Sequence, residues 1–270
     1  MTTTEPLPEQ STAGANAPEP LLADMAPLIK RLRACIEPWP RQVESCKRTS
    51  REAFAQRTGF VARRQRCADV VLASQTAVEL GHPRTDSCAF VLATWQSELV
   101  HDGQLSRIGP DLSELQPDLR HPIAQIVLLQ LRPGPAPDPF GLDTAQYLIN
   151  RLPGYMVRTV PGRLWVRVAS SALHRGLSFS DVAHALMFTY REEFPEVVGV
   201  EVIVAGEGSD RIQSLSPIAT EAAILAGKHK KLVLQPDGDV ECADLSCEAC
   251  DEKPTCDALR DVVIKRRRRT

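Results

Sequence analysis

The stretch Ser178–Gly206, SFSDVAHALMFTYREEFPEVVGVEVIVAG, carries two different periodicities side by side. In its first half Phe179, Val182, Leu186, Met187 and Tyr190 recur at helical spacing and form one apolar stripe, which reads as core. Ser178 stands in the cap position with Asp181 three residues on, close to a capping-box signature, so a helix is predicted over Phe179–Phe194. The second half, VVGVEVIVAG, reads as a strand. A helix handing directly to a strand marks a mixed α/β (α+β) body.

The same alternation extends on both sides. Downstream, AGEGSD reads as a turn, Pro217–Ala226 as a helix, and KLVLQPDGDVEC as a hairpin through Asp237–Gly238. Upstream, RLWVRVA (Arg163–Ala169) is a predicted strand and Leu142–Arg151 a predicted helix. The loop PGPAPDPFG has too many prolines for a regular element, and IAQIVLLQLR before it is a strand. HDGQLSRIG offers a turn at Asp102–Gly103 and an extended piece, while ADVVLAS, AVEL and CAFVLAT read as strands. From residue 21 to 66 the pattern is helical, broken by EPWP (Glu37–Pro40), and residues 1–20 have a disordered leader's composition. The expected division is therefore 1–20 leader, 21–66 helical segment, 67–235 α/β domain and 236–270 cysteine-rich lobe.

Composition narrows the function classes. The 270 residues are 43% hydrophobic and 24% charged with a net charge of −2, which makes no global electrostatic case for nucleic acid. No export signal opens the sequence, and the longest apolar stretch, Ile123–Leu131, is too short for a bilayer, so a cytoplasmic protein without membrane contact is expected. In that compartment eight cysteines argue against a disulfide framework. Cys35, Cys46, Cys67 and Cys88 are scattered and read as small buried hydrophobes.

The other four cluster. Cys242, Cys247, Cys250 and Cys256 follow a C-x4-C-x2-C-x5-C spacing, with Pro254 two residues before the last. Four thiolates at such short spacing suit a [4Fe-4S] cubane. Zinc takes the same ligand number, although four-cysteine zinc sites more often arrive as two C-x2-C knuckles. Asp244, Glu248, Asp251 and Glu252 surround the cysteines and do not decide between the metals. The following tail ends in the basic run Lys265–Arg269, a charged terminus or a docking strip for an acidic partner.

Five stretches in order, VELGHPRTDSCAFVLAT, HDGQLSRIGPDL, AQYLINRLPGYM, RLWVRVASSALHRGLSFSDVAHAL and EEFPEVVGVEVIV, resemble the middle domain of the carbon monoxide dehydrogenase/acetyl-CoA synthase beta subunit family. The resemblance covers roughly residues 67–205. It implies a middle-domain-like fold associated with coenzyme A and with docking of a corrinoid methyl donor. The matching tryptophan and arginine are Trp165 and Arg167, with Arg158 and Arg163 nearby, and His82 and Arg84 lie in a matching loop. Arginine forks suit the phosphates of coenzyme A, and a tryptophan face can stack on adenine. The plainer alternative is a cation–π pair, because Trp165 and Arg167 share one face of an alternating strand.

The family's outer nickel is held by a Cys-Gly-Cys peptide, and no Cys-x-Cys occurs here. The resemblance to iron–sulfur enzymes favours iron at the four cysteines. The expected function is an iron–sulfur subunit of a one-carbon or acyl-CoA redox assembly, with a corrinoid protein or CO dehydrogenase-like subunit among its partners. The alternative is a non-enzymatic, zinc-stabilised scaffold or docking subunit.

Overall fold

The computed structural model describes residues 24–47, 49–60, 70–81, 87–117, 119–160 and 163–226, with the backbone of 233–234 and 240–241; positions 150, 158–160 and 163 are described by backbone alone. In chain order the elements begin with α1 (Ala26–Ile36), β1 (Gln42–Ser45), α2 (Arg51–Thr58), β2 (Thr76–Leu80) and β3 (Ser87–Thr94). They continue with β4 (Gln104–Ile108), β5 (Arg120–His121), β6 (Ile123–Leu131), α3 (Pro139–Ala145), β7 (Tyr155–Val160) and β8 (Arg163–Ala169). The last are α4 (Ser170–His174), α5 (Phe179–Glu193), β9 (Val197–Ala205), α6 (Ser209–Ser214), α7 (Ser216–Leu225) and the backbone pair β10 (Val233–Leu234) and β11 (Val240–Glu241).

A five-stranded mixed sheet in the order β1-β4-β9-β6-β3 forms the centre. β3 runs parallel to β6 and β9 parallel to β4, while β6–β9 and β1–β4 are antiparallel. Strands buried on both faces read as near-continuous apolar runs, and β3 and β6 do so. The register puts Glu201, Ile203, Ser106 and Val43 on one face and Val202, Val204, Leu105 and Arg107 on the other. The first face carries α1, whose Leu28, Ile29 and Leu32 are buried, and α7 beside it through Arg31–Glu221 at 2.5 Å. On the opposite face lies α5, with Phe179, Val182, Leu186 and Tyr190 buried along the predicted stripe. Its capping box is present, the Ser178 hydroxyl accepting from the Asp181 N–H.

The second sheet is four-stranded, β5-β2-β8-β7, with β2–β5 parallel and the other pairs antiparallel. Val78, Leu80, Leu164, Val166 and Val168 are buried, and β8 approaches β3, so the two sheets share one core. Where β2 ends, Gly81 adopts φ 75° and comes so close to β8 that a Cβ there would lie 2.4 Å from the Leu164 carbonyl oxygen.

Several elements differ from the sequence reading. The segment 21–66 is not helical throughout, because Gln42–Ser45 pair with β4 as an edge strand; after the EPWP break, ladder hydrogen bonds win over helical pattern. Of ADVVLAS, the described residues 70–74 are not a strand. Gln75 N donates to Leu72 O at 3.0 Å, Leu72 N to the Gln75 side chain at 3.2 Å, and the Thr76 hydroxyl to Leu72 O at 2.9 Å; the backbone is used locally in a turn over Ala73–Gln75. The helix expected at Leu142–Arg151 starts earlier, at Pro139, because Asp138 caps it by accepting from the N–H groups of Phe140 and Gly141. It then tightens to a 3₁₀ turn at Leu148–Arg151. β7, α4 and α6 have no counterpart in that reading. The hairpin does: Val233 pairs with Glu241 and Leu234 with Val240.

Candidate functional site

The sequence candidates that fall among the described residues meet on one face of the second sheet. Alternation along β8 leaves Leu164, Val166 and Val168 inward and buried, so Trp165 and Arg167 lie half-buried on the outer face. The β7–β8 register sets Arg158 opposite Trp165 and Arg163 opposite Val160. All four candidate positions therefore occupy the outer side of one two-strand ribbon.

Two residues absent from the sequence reading complete the row. Glu79 of β2 is the cross-strand neighbour of Arg167, whose Nε donates to Glu79 Oε1 at 2.9 Å. Arg120 of β5 approaches the other carboxylate oxygen from Nε and Nη2, both at 3.3 Å. The Arg167 guanidinium lies over the Trp165 ring, 4.6 Å from its centroid, the cation–π pair anticipated from the alternation. The row runs Arg120–Glu79–Arg167–Trp165. Burial by itself pushes the Glu79 carboxyl upward, but hydrogen bonds and charge from Arg167 and Arg120 outweigh it and hold the group below the usual glutamate range. Glu79 thus neutralises one of the two arginines and orients both. A shallow cavity of about 240 Å³ opens at the Glu79–Arg120 end, against Leu119 and Thr76.

Chemically this face offers a flat aromatic surface, a guanidinium held over it and a surplus of cationic positions. Among the described residues it contains no nucleophile with an adjacent base. Glu79 could have been found in the sequence only as the polar residue of AVEL; its partners lie 88 and 41 residues away, where no local pattern reaches.

The remaining candidates lie elsewhere. Cys242, Cys247, Cys250 and Cys256, like His82 and Arg84, are outside the described residues. Among the described residues no group of three or more His, Cys, Asp or Glu is placed to hold a metal ion, and no helix is long and apolar enough to cross a membrane. Of the scattered cysteines, Cys46 and Cys88 are buried as expected and Cys35 is half-buried, while Cys67 is outside the described residues. Burial pushes the Cys46 thiol up to about 11, which keeps it protonated and inert.

The matching region defines a family. Residues 67–209, just over half of the chain, match the family model of the CO dehydrogenase/acetyl-CoA synthase complex beta subunit, and the chain belongs to that family. Among its relatives is the acetyl-CoA decarbonylase/synthase complex subunit beta of Archaeoglobus fulgidus, to which it is 28% identical over 132 residues. The match takes in 47% of this chain and 24% of the relative, so the chain spans about a quarter of that protein's length. Every element of the outer-face row lies inside the matched region.

Proposed function

We propose that this chain is an iron–sulfur subunit of a one-carbon or acyl-CoA assembly, in which the outer face of the second sheet receives coenzyme A. The observation that carries the ligand half is the convergence of Arg158, Arg163, Trp165 and Arg167 on one ribbon. Adenine stacks on the exposed part of Trp165, and the arginines meet the phosphates. Glu79 holds Arg167 in place until the ligand's phosphates compete for it. The relative is named as a subunit of a complex, which supports a multisubunit setting here. For the metal half, the spacing of Cys242, Cys247, Cys250 and Cys256 favours a [4Fe-4S] cubane.

Two measurements test this reading. Calorimetric titration with coenzyme A should give saturable binding that weakens at least tenfold in Trp165→Ala and strengthens in Glu79→Gln, where Arg167 is released. Absence of binding in all three proteins removes the ligand role. Anaerobic purification should yield a brown protein with about four irons per chain; a colourless protein with one zinc overturns the cluster.

A second reading rests on Arg167 being already satisfied by Glu79 and Trp165. On it the row is a docking surface of a zinc-stabilised, non-enzymatic subunit. Zinc together with no coenzyme A binding is its signature.

A further inference from the structure

Glu201 lies in the middle of β9 with its side chain fully buried. A buried carboxylate persists only where donors replace its water. Arg33 of α1 supplies a fork, Nη1 to Oε1 at 3.2 Å and Nη2 to Oε2 at 2.7 Å, and the backbone N–H of His101 donates to Oε2 at 2.7 Å. The same oxygen stands 3.4 Å from Nδ1 of the His101 ring. A carboxylate behind an imidazole draws the proton to the nitrogen it faces and fixes the ring's orientation. Nε2, across the ring from Glu201, is left on the outer side of a side chain that is 54% exposed.

That ring stands at a groove of about 570 Å³ between α1 and the β1–β4 ribbon. Lys30 and Arg41 line it, and among the described residues neither has a carboxylate partner; Arg41 makes only a 3.5 Å contact to the Ile36 carbonyl. The charge of Glu201 beneath is already matched by Arg33, so Glu37 is the one carboxylate left on the rim among the described lining residues. On the floor Ser106 and Gln104 of β4 add a hydroxyl and an amide, 3.4 Å apart. Exposed Val43 adds an apolar edge.

We propose that this groove is a second ligand site, distinct from the Trp165 face, and that it takes a small anion with closely spaced oxygens of the phosphate-ester or diphosphate class. His101 Nε2 touches the anion, Lys30 and Arg41 supply charge, and Glu201 with Arg33 position the imidazole. Cations that no internal carboxylate consumes, set beside an imidazole that lines the groove, match clustered oxyanions better than a single carboxylate.

Inorganic diphosphate is the probe, titrated calorimetrically at constant ionic strength set with chloride, with the histidine ring nitrogens followed by NMR. One saturable site is expected, with a shift of the His101 ring signals. Affinity should fall at least tenfold in the Lys30→Gln/Arg41→Gln double variant and severalfold in His101→Gln. Arg167→Gln should leave it unchanged, which separates this site from the coenzyme A face. Lack of saturation, an unmoved His101 signal or undiminished affinity in the double variant overturns the proposal. The altered lysine and arginine are exposed, so the double variant keeps its fold.

Discussion

Glu79 shows how one side chain can serve a surface without being its ligand. It lies between two guanidinium groups, with its carboxyl held below the ordinary value of 4.5 by Arg167 and Arg120 against the opposing effect of burial. A group with a depressed folded-state pKa stabilises above its unfolded value, and that stabilisation is lost as pH falls through the folded value. The melting temperature of the wild type should therefore exceed that of Glu79→Gln at neutral pH, and the gap should close as the buffer is taken below pH 4.5. A gap that stays constant into acid would mean that the arginines do not act on Glu79. Trp165 and Arg167 were legible from alternation in RLWVRVA, whereas Glu79 and Arg120 were not, because strand pairing rather than local sequence brings them there.

Among the elements, α5 was legible almost to the residue, since cap, stripe and length all agree within one continuous segment. The neighbouring α2 depends on it. Arg57 of α2 pairs with Asp181, whose carboxylate also accepts from the Ser178 N–H at 3.1 Å, and Phe54 stacks on His184 at 5.5 Å. Asp181 thus closes a cap and fastens a second helix at once. Replacing it with alanine should cost about 1–3 kcal/mol, the sum of a lost cap and a half-exposed ion pair. Amide exchange over Arg51–Thr58 should accelerate more than exchange in β6; uniform acceleration would contradict a local fastening. Elements lacking such internal agreement were harder to read. Gln42–Ser45 is short, with three of its four residues polar, and only its partner β4 makes it a strand. Residues 68–74 have strand composition, yet Gln75 and Thr76 tie the backbone into a turn.

For the whole molecule the decisive feature is the position of β9. It lies at the centre of the first sheet, between β4 and β6, although it follows both in the chain by many residues. Ile203 is paired with Ser106 on one side and Ile126 on the other. Its truncation to alanine should cost about 2–5 kcal/mol. If insertion of this strand limits folding, most of the loss should appear as slower refolding in stopped-flow traces; faster unfolding alone would place insertion after the barrier. On a ribosome, β4 and β6 emerge with their facing edges open and wait for the strand that joins them. During that wait the nascent chain presents unpaired, apolar β-edges, the kind of surface that aggregates or recruits chaperones. Codon usage ahead of residue 197 thus becomes a lever on yield, and slowing translation there should lower the soluble fraction without changing the finished protein.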